Sequence, residues 1–281
     1  MTSAALVDIP AGRFVMGSDQ HYPEEAPERH VDVPAFQMDA SAISNAAFAA
    51  FIADTGYVTS CERPYDAGDQ SALPDVACIP GSLVFQMTRQ PVRLTDPRQW
   101  WTFVPGAYWR CPEGPGSSIE AREDHPVVHV SCDDALAYAT WAGKALPTEA
   151  QWEYAAAQSS PCDPKLNIWR DAFPYRHHRV NGHPFTVPAG AGQPSGRGLS
   201  NMLGNVWEWT ATPYQASHAK GGCCATPETD APSAQTVMTL KGGSYLCADN
   251  YCRRYRPSAR IGLAQNETAG HIGFRCVTRA A

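Results

Sequence analysis

Glycine and proline interrupt this sequence so often that long regular helices or strands are not expected. The chain has 22 Gly and 24 Pro among 281 residues, about 16% against about 12% in an average protein. Glycine adopts left-handed conformations and proline breaks hydrogen-bonded ladders, so both concentrate in turns. A chain with few hydrogen-bonded helices and sheets needs other interactions to stabilise it, and its 8 Trp and 11 Tyr side chains can provide them by packing in the core. The sequence therefore predicts many turns, short elements and aromatic packing.

Three helices and several short strands can nevertheless be located. Ser44, Ser131 and Thr148 each precede a segment typical of a helix, and Gly56 and Gly143 end the first two segments. Strands are predicted at residues 6–17, with a break at 10–12, and at 31–39 and 126–130. No linker-like stretch divides the chain, so we expect a single α+β domain over residues 1–281.

The composition and charge exclude several classes of partner. The chain has 22 Lys and Arg against 28 Asp and Glu, a formal net charge of −6, whereas nucleic-acid binding needs clustered cations. No apolar run approaches the roughly 18 residues of a membrane span. The first ten residues lack the basic and apolar regions of a secretory signal. We therefore expect a cytoplasmic protein that binds neither nucleic acid nor membrane.

The most informative segment runs from Lys241 to Arg256 and contains Cys247 and Cys252. On a helix, an offset of five residues leaves two side chains about 140° apart. On a strand, an odd offset places them on opposite faces. Only a turn between the two cysteines brings their sulfur atoms together, and the Asp and Asn at 249–250 suit such a turn.

Two thiols that meet across a turn can form a disulfide, a redox pair or a soft-metal site. Arg253, Arg254 and Arg256 favour the thiolate form, and Gly242 and Gly243 permit a close approach of the backbone to a ligand. Two thiolates with few other donors suit Cu(I) better than Zn(II), which takes four ligands. The residues alone leave these three uses open.

Two other clusters are compatible with metal binding but also with a structural role. His125 and His129 would share one face of the predicted strand, but no carboxylate stands at a matching spacing. Asn201 and Glu208 flank a glycine turn and could offer oxygen ligands to Ca²⁺. For both clusters, the residues favour a structural role over metal binding.

Several sequence blocks resemble the formylglycine-generating enzymes, also called sulfatase-modifying factors. The most specific block is the cysteine pair within Gly-Gly-Ser-Tyr-Leu-Cys-x4-Cys-x-Arg-Tyr-Arg, which separates the oxidase from its relatives. Further matching blocks are residues 9–17, 25–27, 44–45, 109–115, 124–131, 141–154, 201–209 and 273–276.

This resemblance implies a C-type-lectin-like fold with little regular secondary structure, short strands, about three helices and many loops. It also implies an activity, the oxidation of a cysteine within Cys-x-Pro-x-Arg of an unfolded sulfatase polypeptide to Cα-formylglycine. The oxidant would be O2 with a thiol reductant, and the cofactor Cu(I) held by Cys247 and Cys252. Ser244, Trp207 and Tyr251 match pocket positions of the family, as does Arg254.

The resemblance further implies structural Ca²⁺. One site would comprise Asn201, Gly204, Val206 and Glu208. A second would begin at Asn167 and Ile168 and continue at Asn181 and His183, where the family more usually has Asp and an aromatic residue.

The chain also departs from the family pattern. His271 stands where many members have Asn, and the loop between the two cysteines reads Ala-Asp-Asn-Tyr where many members begin with His. The alternative function is a non-catalytic, lectin-like binding module of the same fold. The cysteine pair distinguishes the two, since a pure binder has no need of two converging free thiols.

Overall fold

The computed structural model describes residues 5–64, 79–178, 185–192, 194–218 and 236–278. Within these ranges the chain forms three α-helices and ten short strands joined by long irregular segments. The helices are α1 (Asn45–Thr55), α2 (Cys132–Trp141) and α3 (Glu149–Ala156). The strands are β1 (Leu6–Ile9), β2 (Gly12–Met16), β3 (Arg29–Val33), β4 (Phe36–Asp39), β5 (Gly81–Phe85), β6 (Trp101–Pro105), β7 (Trp207–Pro213), β8 (Val237–Lys241), β9 (Arg260–Ala264) and β10 (Ile272–Gly273).

All three helices begin where the sequence predicts. The Ser44 hydroxyl accepts a hydrogen bond from the Ala47 amide at 3.2 Å, which satisfies a free donor of the first turn of α1. At Ser131 and Thr148 the side chain accepts from the third helical residue, whose own side chain accepts in return. Gly56 ends α1 in the left-handed conformation. Capping signals therefore sufficed to locate these helices.

The strand predictions were only partly confirmed. Residues 6–17 form β1 and β2, but residues 31–39 are divided around Pro34 and Ala35 between β3 and β4. The predicted strand at 126–130 is wrong, because His129 adopts a left-handed φ of 58° that an extended strand cannot contain. His129 is buried, with its ring nitrogens 2.8 Å from the Ser82 hydroxyl and the Pro112 carbonyl oxygen. These contacts agree with the structural interpretation of this histidine.

The strands are arranged as three separate antiparallel pairs and one larger sheet. The pairs are β1 with β4, β2 with β3, and β5 with β6. The larger sheet has the order β10-β7-β8-β9, with β10 parallel to β7 and the other neighbours antiparallel. Its register places Lys241 of β8 opposite Glu208 of β7 and Arg260 of β9. The segment that carries the cysteine pair follows directly from the end of β8.

Aromatic side chains fill the core, as the composition predicts. Phe48 of α1 contacts Phe51, Trp109, Tyr138 and Phe274, with ring centroids 5.3–6.4 Å apart. A second aromatic cluster includes Phe85, Trp100, Trp169 and Phe173 together with residues of the cysteine-bearing segment. Among the described residues, no helix has the length and hydropathy needed to cross a bilayer.

Buried ion pairs join the end of β8 and the start of β9 to α3. The Lys241 ammonium group lies 2.7 Å from the Glu153 carboxylate, and the Arg260 guanidinium lies 2.7 Å from Glu149. Burial raises the pKa of Glu149, but the His218 hydrogen bond and the charges of Lys241 and Arg260 outweigh it, so that the pKa falls to about 2. The Glu149 carboxylate therefore keeps its charge, and the two ion pairs hold the start of the cysteine-bearing segment in place.

Candidate active site

Two glycines turn the chain sharply away from β8. Gly242 and Gly243 have φ of 97° and 73°, in the left-handed region that glycine adopts without strain. A Cβ atom on Gly242 would lie 2.9 Å from the Met202 carbonyl oxygen, and one on Gly243 would lie 2.6 Å from the Arg254 carbonyl oxygen. The backbone can therefore follow this path only with glycine at both positions.

The predicted turn between the cysteines is present, but distant contacts contribute to it. The Cys247 amide donates to the Ser244 carbonyl at 3.0 Å, and the Tyr251 amide donates to the Ala248 carbonyl at 3.2 Å. The position of Asn250 suggested that its side chain would cap a neighbouring backbone amide, but it does not. Instead its side-chain amide exchanges two hydrogen bonds of 3.3 Å with the backbone of Phe173. This contact attaches the turn to the second aromatic cluster.

The two sulfur atoms lie side by side as free thiols. The Sγ atoms of Cys247 and Cys252 are 3.2 Å apart, and both residues are unpaired as disulfides. Burial raises the pKa of the Cys247 thiol well above its ordinary value. The hydrogen bond from the neighbouring sulfur and the charge of Arg254 lower the pKa of Cys252 despite its burial. The arrangement therefore favours the thiolate form at Cys252 first.

A cavity of about 130 Å³, open to solvent at its mouth, brings the predicted site residues together. Both cysteines line it, and so do the four pocket residues expected from the sequence, Trp207, Ser244, Tyr251 and Arg254. These residues come from the start of β7 and from the cysteine-bearing segment, which are distant in sequence. The fold therefore assembles the whole predicted catalytic set around one space.

Six further residues complete the wall of this cavity and were not identified from sequence as site residues. They are Trp100, Trp101, Phe173, Leu246, Ile261 and His271. The Tyr251 ring stacks on Phe173 with centroids 4.5 Å apart and meets Trp100 edge-on at 5.4 Å. The adjacent aromatic pair Trp100-Trp101 is the sequence feature that could have identified part of this wall. The sequence alone, however, does not show which loop this pair faces.

His271, which departs from the family pattern, lies within the same wall. Its ring packs against Trp101 with centroids 4.7 Å apart. Burial, with a smaller contribution from His129, lowers the pKa of His271 to about 3. The imidazole is therefore neutral across the physiological range and adds no positive charge beside the thiols.

The thiol pair matches the chemistry of a soft monovalent metal ion. Among the residues that the structure describes, no group of three or more His, Cys, Asp or Glu side chains is arranged to hold a metal. Zinc sites draw on four ligands, whereas two sulfur donors suit Cu(I). Cys247 and Cys252 thus fit the ion that the sequence resemblance implies.

The residues expected to bind calcium are less well suited to Ca²⁺ than the thiol pair is to Cu(I). Asn167, Ile168 and Asn201 line a common cavity, but Glu208 belongs to a buried ion pair with Arg275, its oxygens 2.7 and 2.8 Å from the guanidinium. The Trp152 indole also donates to Glu208 at 2.7 Å. Since Arg275 neutralises Glu208, this set presents no uncompensated carboxylate, the ligand that Ca²⁺ prefers.

The remaining calcium residues are positioned by the fold in other ways. The Gly204 backbone packs closely on Asn167, since a Cβ there would lie 2.6 Å from the Asn167 carbonyl oxygen. Val206 is buried. Asn181 and His183 lie outside the described residues. Calcium binding at either site therefore stays a prediction that rests on the resemblance.

The fold and the site together define a class, a single lectin-like α+β domain with an open cavity that contains two free thiols. The family model described as "Sulfatase-modifying factor enzyme 1-like domain" matches residues 1–280, so the chain belongs to this family.

Individual relatives agree with this assignment. The formylglycine-generating enzyme of Mycobacterium tuberculosis is 46% identical, the alignment covering 97% of each chain. A mouse protein named inactive C-alpha-formylglycine-generating enzyme 2 is 34% identical over 98% of this chain and 86% of its own. The solved structure of PvdO from Pseudomonas aeruginosa shares the fold, with a TM-score of 0.61 at 21% identity, covering 97% of this chain and 93% of that one.

Proposed function

We propose that this protein is a formylglycine-generating oxidase that acts on a cysteine of a sulfatase polypeptide. The observation that carries the proposal is the pair of free thiols 3.2 Å apart on the wall of an open cavity. A binding module that only retained the fold would not need to preserve this pair. The relatives named formylglycine-generating enzyme support the same activity.

Cu(I) is the proposed cofactor, held by Cys247 and Cys252. When bound, it supplies a soft centre for the substrate thiolate and for activation of O2. The lowered pKa of Cys252 prepares one of the two sulfur ligands, since metal ions bind the thiolate form. Cys247 has to lose its proton against the effect of burial, so metal binding at this pair would release a proton.

The surrounding residues bind and shield the substrate cysteine. Tyr251, Phe173 and Trp100 form an aromatic wall that excludes water from one side of the thiols. Ser244 is fully buried, and its hydroxyl accepts from the Leu246 amide at 3.2 Å, which holds the turn. Arg254 places a positive charge beside the sulfur atoms and stabilises their negative charge.

The electron balance of the proposed reaction explains the need for a reductant. Conversion of the substrate CH2–SH to an aldehyde removes two electrons from the β-carbon and releases sulfide. One O2 accepts four electrons on reduction to two molecules of water, and a water molecule supplies the aldehyde oxygen as sulfide leaves. The other two electrons come from two thiol molecules, which are joined as a disulfide.

The decisive experiment supplies Cu(I)-loaded protein with a Cys-x-Pro-x-Arg peptide, O2 and a small thiol. We expect the peptide to acquire an aldehyde, detected by mass spectrometry and by trapping with a hydrazide. The same peptide with Ser in place of Cys is the control and should remain unchanged. A peptide that binds to the protein but is recovered with its thiol intact would instead support the non-catalytic binding module.

A further inference from the structure

The strand pair β5–β6 has a free edge beside the active-site cavity. β5 has neighbours on both sides, since β6 pairs with it on one side and its Leu83 carbonyl accepts from the Gly270 amide at 3.1 Å on the other. Among the described residues, β6 pairs with β5 alone. The first residue of β6, Trp101, lines the cavity that contains the two thiols. The free edge of β6 therefore begins at the wall of the candidate active site.

Hydrogen bonds at the two ends of the pair show which main-chain groups of β6 point outward. The Gln86 amide donates to the Trp100 carbonyl at 2.8 Å, and the Gly106 amide donates to the Pro80 carbonyl at 2.9 Å. In an antiparallel pair, such positions alternate with positions whose N–H and C=O groups point away from the partner strand. In the observed register, the outward positions of β6 are Trp101, Phe103 and Pro105.

These outward groups are free to bind another chain. The edge offers the N–H groups of Trp101 and Phe103 and the C=O groups of all three outward residues, at intervals of about 7 Å along the strand. None of these groups has a hydrogen-bond partner in the part of the chain that the structure describes. Phe103 and Pro105 are exposed, so the edge is open to solvent.

The edge also lacks the charged side chains that commonly prevent strands from pairing with other chains. The other two strand pairs contain charged residues, such as Asp8 in β1 and Arg13 in β2, whereas β5 and β6 contain none. Leu83 and Phe103 lie opposite each other, and each is 41% exposed. Because alternate residues of a strand share a face, both lie on the same face as Trp101. Apolar surface therefore continues from the cavity along the strand pair.

An extended polypeptide is the ligand that matches this edge. Its own N–H and C=O groups repeat at the same interval, so that it can add a further strand to the pair. The proposed substrate is a polypeptide that has to bring its cysteine to the thiols, and these lie at the cavity end of the edge. From Trp101 to Pro105 the edge extends about 14 Å, enough for four residues beside that cysteine.

We propose that a segment of the substrate polypeptide flanking the target cysteine binds the free edge of β6 as an additional strand. Its main chain pairs with the outward groups of Trp101 and Phe103, and its alternate side chains pack on Leu83 and Phe103. This inference rests on the proposed function, because it takes a polypeptide as the substrate. Since main-chain groups supply the hydrogen bonds, the edge accepts flanking segments of varied sequence.

The first experiment alters the main chain of the peptide. A Ser-x-Pro-x-Arg peptide extended on both sides, with serine in place of the target cysteine, is titrated into the metal-free protein in a calorimeter. Versions of this peptide each carry one N-methyl group, which removes one amide donor. We expect binding to weaken about fivefold or more at every second residue on one side of the serine, the effect of one lost hydrogen bond. At the residues between, whose amides point away from β6, binding should stay within about twofold of the parent peptide.

The second experiment removes one donor of the edge itself. Phe103→Pro lacks the outward amide, and because β5 does not use that amide, the strand pair should tolerate proline there. Phe103→Ala is the matched control, since it loses the same ring but retains the amide. We expect Phe103→Pro to bind the serine peptide about fivefold more weakly than Phe103→Ala. Phe103 does not line the cavity, so the Cu(I) affinity of both variants should stay close to that of wild type.

Three results would overturn the strand pairing. They are a loss of affinity without the two-residue period, equal binding by folded Phe103→Pro and Phe103→Ala, and no binding of the serine peptide by wild type. If circular dichroism shows that Phe103→Pro is unfolded, the N-methylated peptides decide the question with the wild-type protein. A dimer in sedimentation experiments that Phe103→Pro abolishes and the peptide does not dissociate would assign the edge to a second copy of the chain instead.

Failure of this inference can be told apart from failure of the proposed function. If the alternating pattern is found but the corresponding cysteine peptide is never oxidised, the proposed function fails and the strand pairing stands. If the cysteine peptide is oxidised and the alternating pattern is missing, the proposed function stands and the strand pairing fails.

Discussion

The Sγ atoms of Cys247 and Cys252 lie 3.2 Å apart without a covalent bond, at the point where the turn between them meets an open cavity. Two thiols this close would readily form a disulfide under oxidising conditions, provided that the chain can relax to bonding distance. Both cysteines remain free thiols. Their different environments raise the pKa of Cys247 and lower the pKa of Cys252.

The first prediction concerns the thiol pair itself. Cys247→Ser and Cys252→Ser should each abolish peptide oxidation, because one sulfur cannot hold Cu(I) in the proposed way. Thermal unfolding should change little, since serine is close in size to cysteine. The control is Cys162→Ser, which removes an exposed thiol and should retain activity. Substantial turnover in either variant of the pair would contradict the copper assignment.

The second prediction concerns the pH dependence of Cys252 in the metal-free protein. Because its pKa is lowered, its thiolate should form below the pH at which an ordinary cysteine ionises. Arg254→Gln removes a nearby positive charge and should shift this titration to higher pH. The rate of alkylation at Cys252, followed by mass spectrometry with Cys247 retained because its hydrogen bond contributes to the lowered pKa, measures the shift. An unchanged or lower titration point in Arg254→Gln would show that Arg254 does not stabilise the thiolate.

The third prediction concerns acid stability. The folded-state pKa of Glu149, about 2, lies below its ordinary value of 4.5, which corresponds to about 3 kcal/mol of stabilisation with the carboxylate ionised. This contribution is present above pH 4.5 and is lost as the pH falls towards 2. Glu149→Gln should lose the contribution at neutral pH and flatten the acid side of the stability curve. Urea unfolding at several pH values measures it, and a curve parallel to wild type would contradict the assignment.

The fourth prediction separates two costs of a side chain on glycine. Gly243→Ala adds a Cβ 2.6 Å from the Arg254 carbonyl oxygen, whereas a Cβ at Gly56 would contact nothing within 4 Å. Both residues have positive φ, so both substitutions incur about 1–2 kcal/mol of left-handed strain. Only Gly243→Ala should also displace the cysteine-bearing segment and reduce peptide oxidation.

Unfolding of Gly56→Ala measures the left-handed strain alone, whereas unfolding of Gly243→Ala measures that strain together with the close contact. Activity assays report whether the cysteine-bearing segment is displaced. Equal activities in Gly243→Ala and Gly56→Ala would show that the segment tolerates the extra carbon atom.

Local features of the sequence were sufficient to predict the helices and the cysteine turn. Ser44, Ser131 and Thr148 carry capping signals that operate within one helical turn. The spacing of Cys247 and Cys252 excludes regular elements and so demands a turn. In each case the determining interactions lie within a few residues, where the sequence order already gives the geometry.

The remaining features depend on contacts between distant segments, which periodicity does not encode. His129 leaves the predicted strand because a left-handed backbone allows its ring to reach Ser82 and Pro112. Nothing in the sequence near Glu24 indicates that its carboxylate forms an ion pair with Arg254. The aromatic wall beside Tyr251 likewise combines three separate loops. Half of the cavity lining therefore became apparent only once the chain was folded.

The ion pair between Lys241 and Glu153 has a consequence for how the site can adapt. It anchors the residue just before the two glycines. Beyond the second cysteine, Arg254 and Arg256 are held by ion pairs with Glu24 and Glu25. With both ends of this short span immobilised, the sulfur–sulfur separation can change chiefly by side-chain rotation. The site can therefore adjust to ions of different radius only by rotation about the χ1 angles of Cys247 and Cys252, while the main chain stays in place.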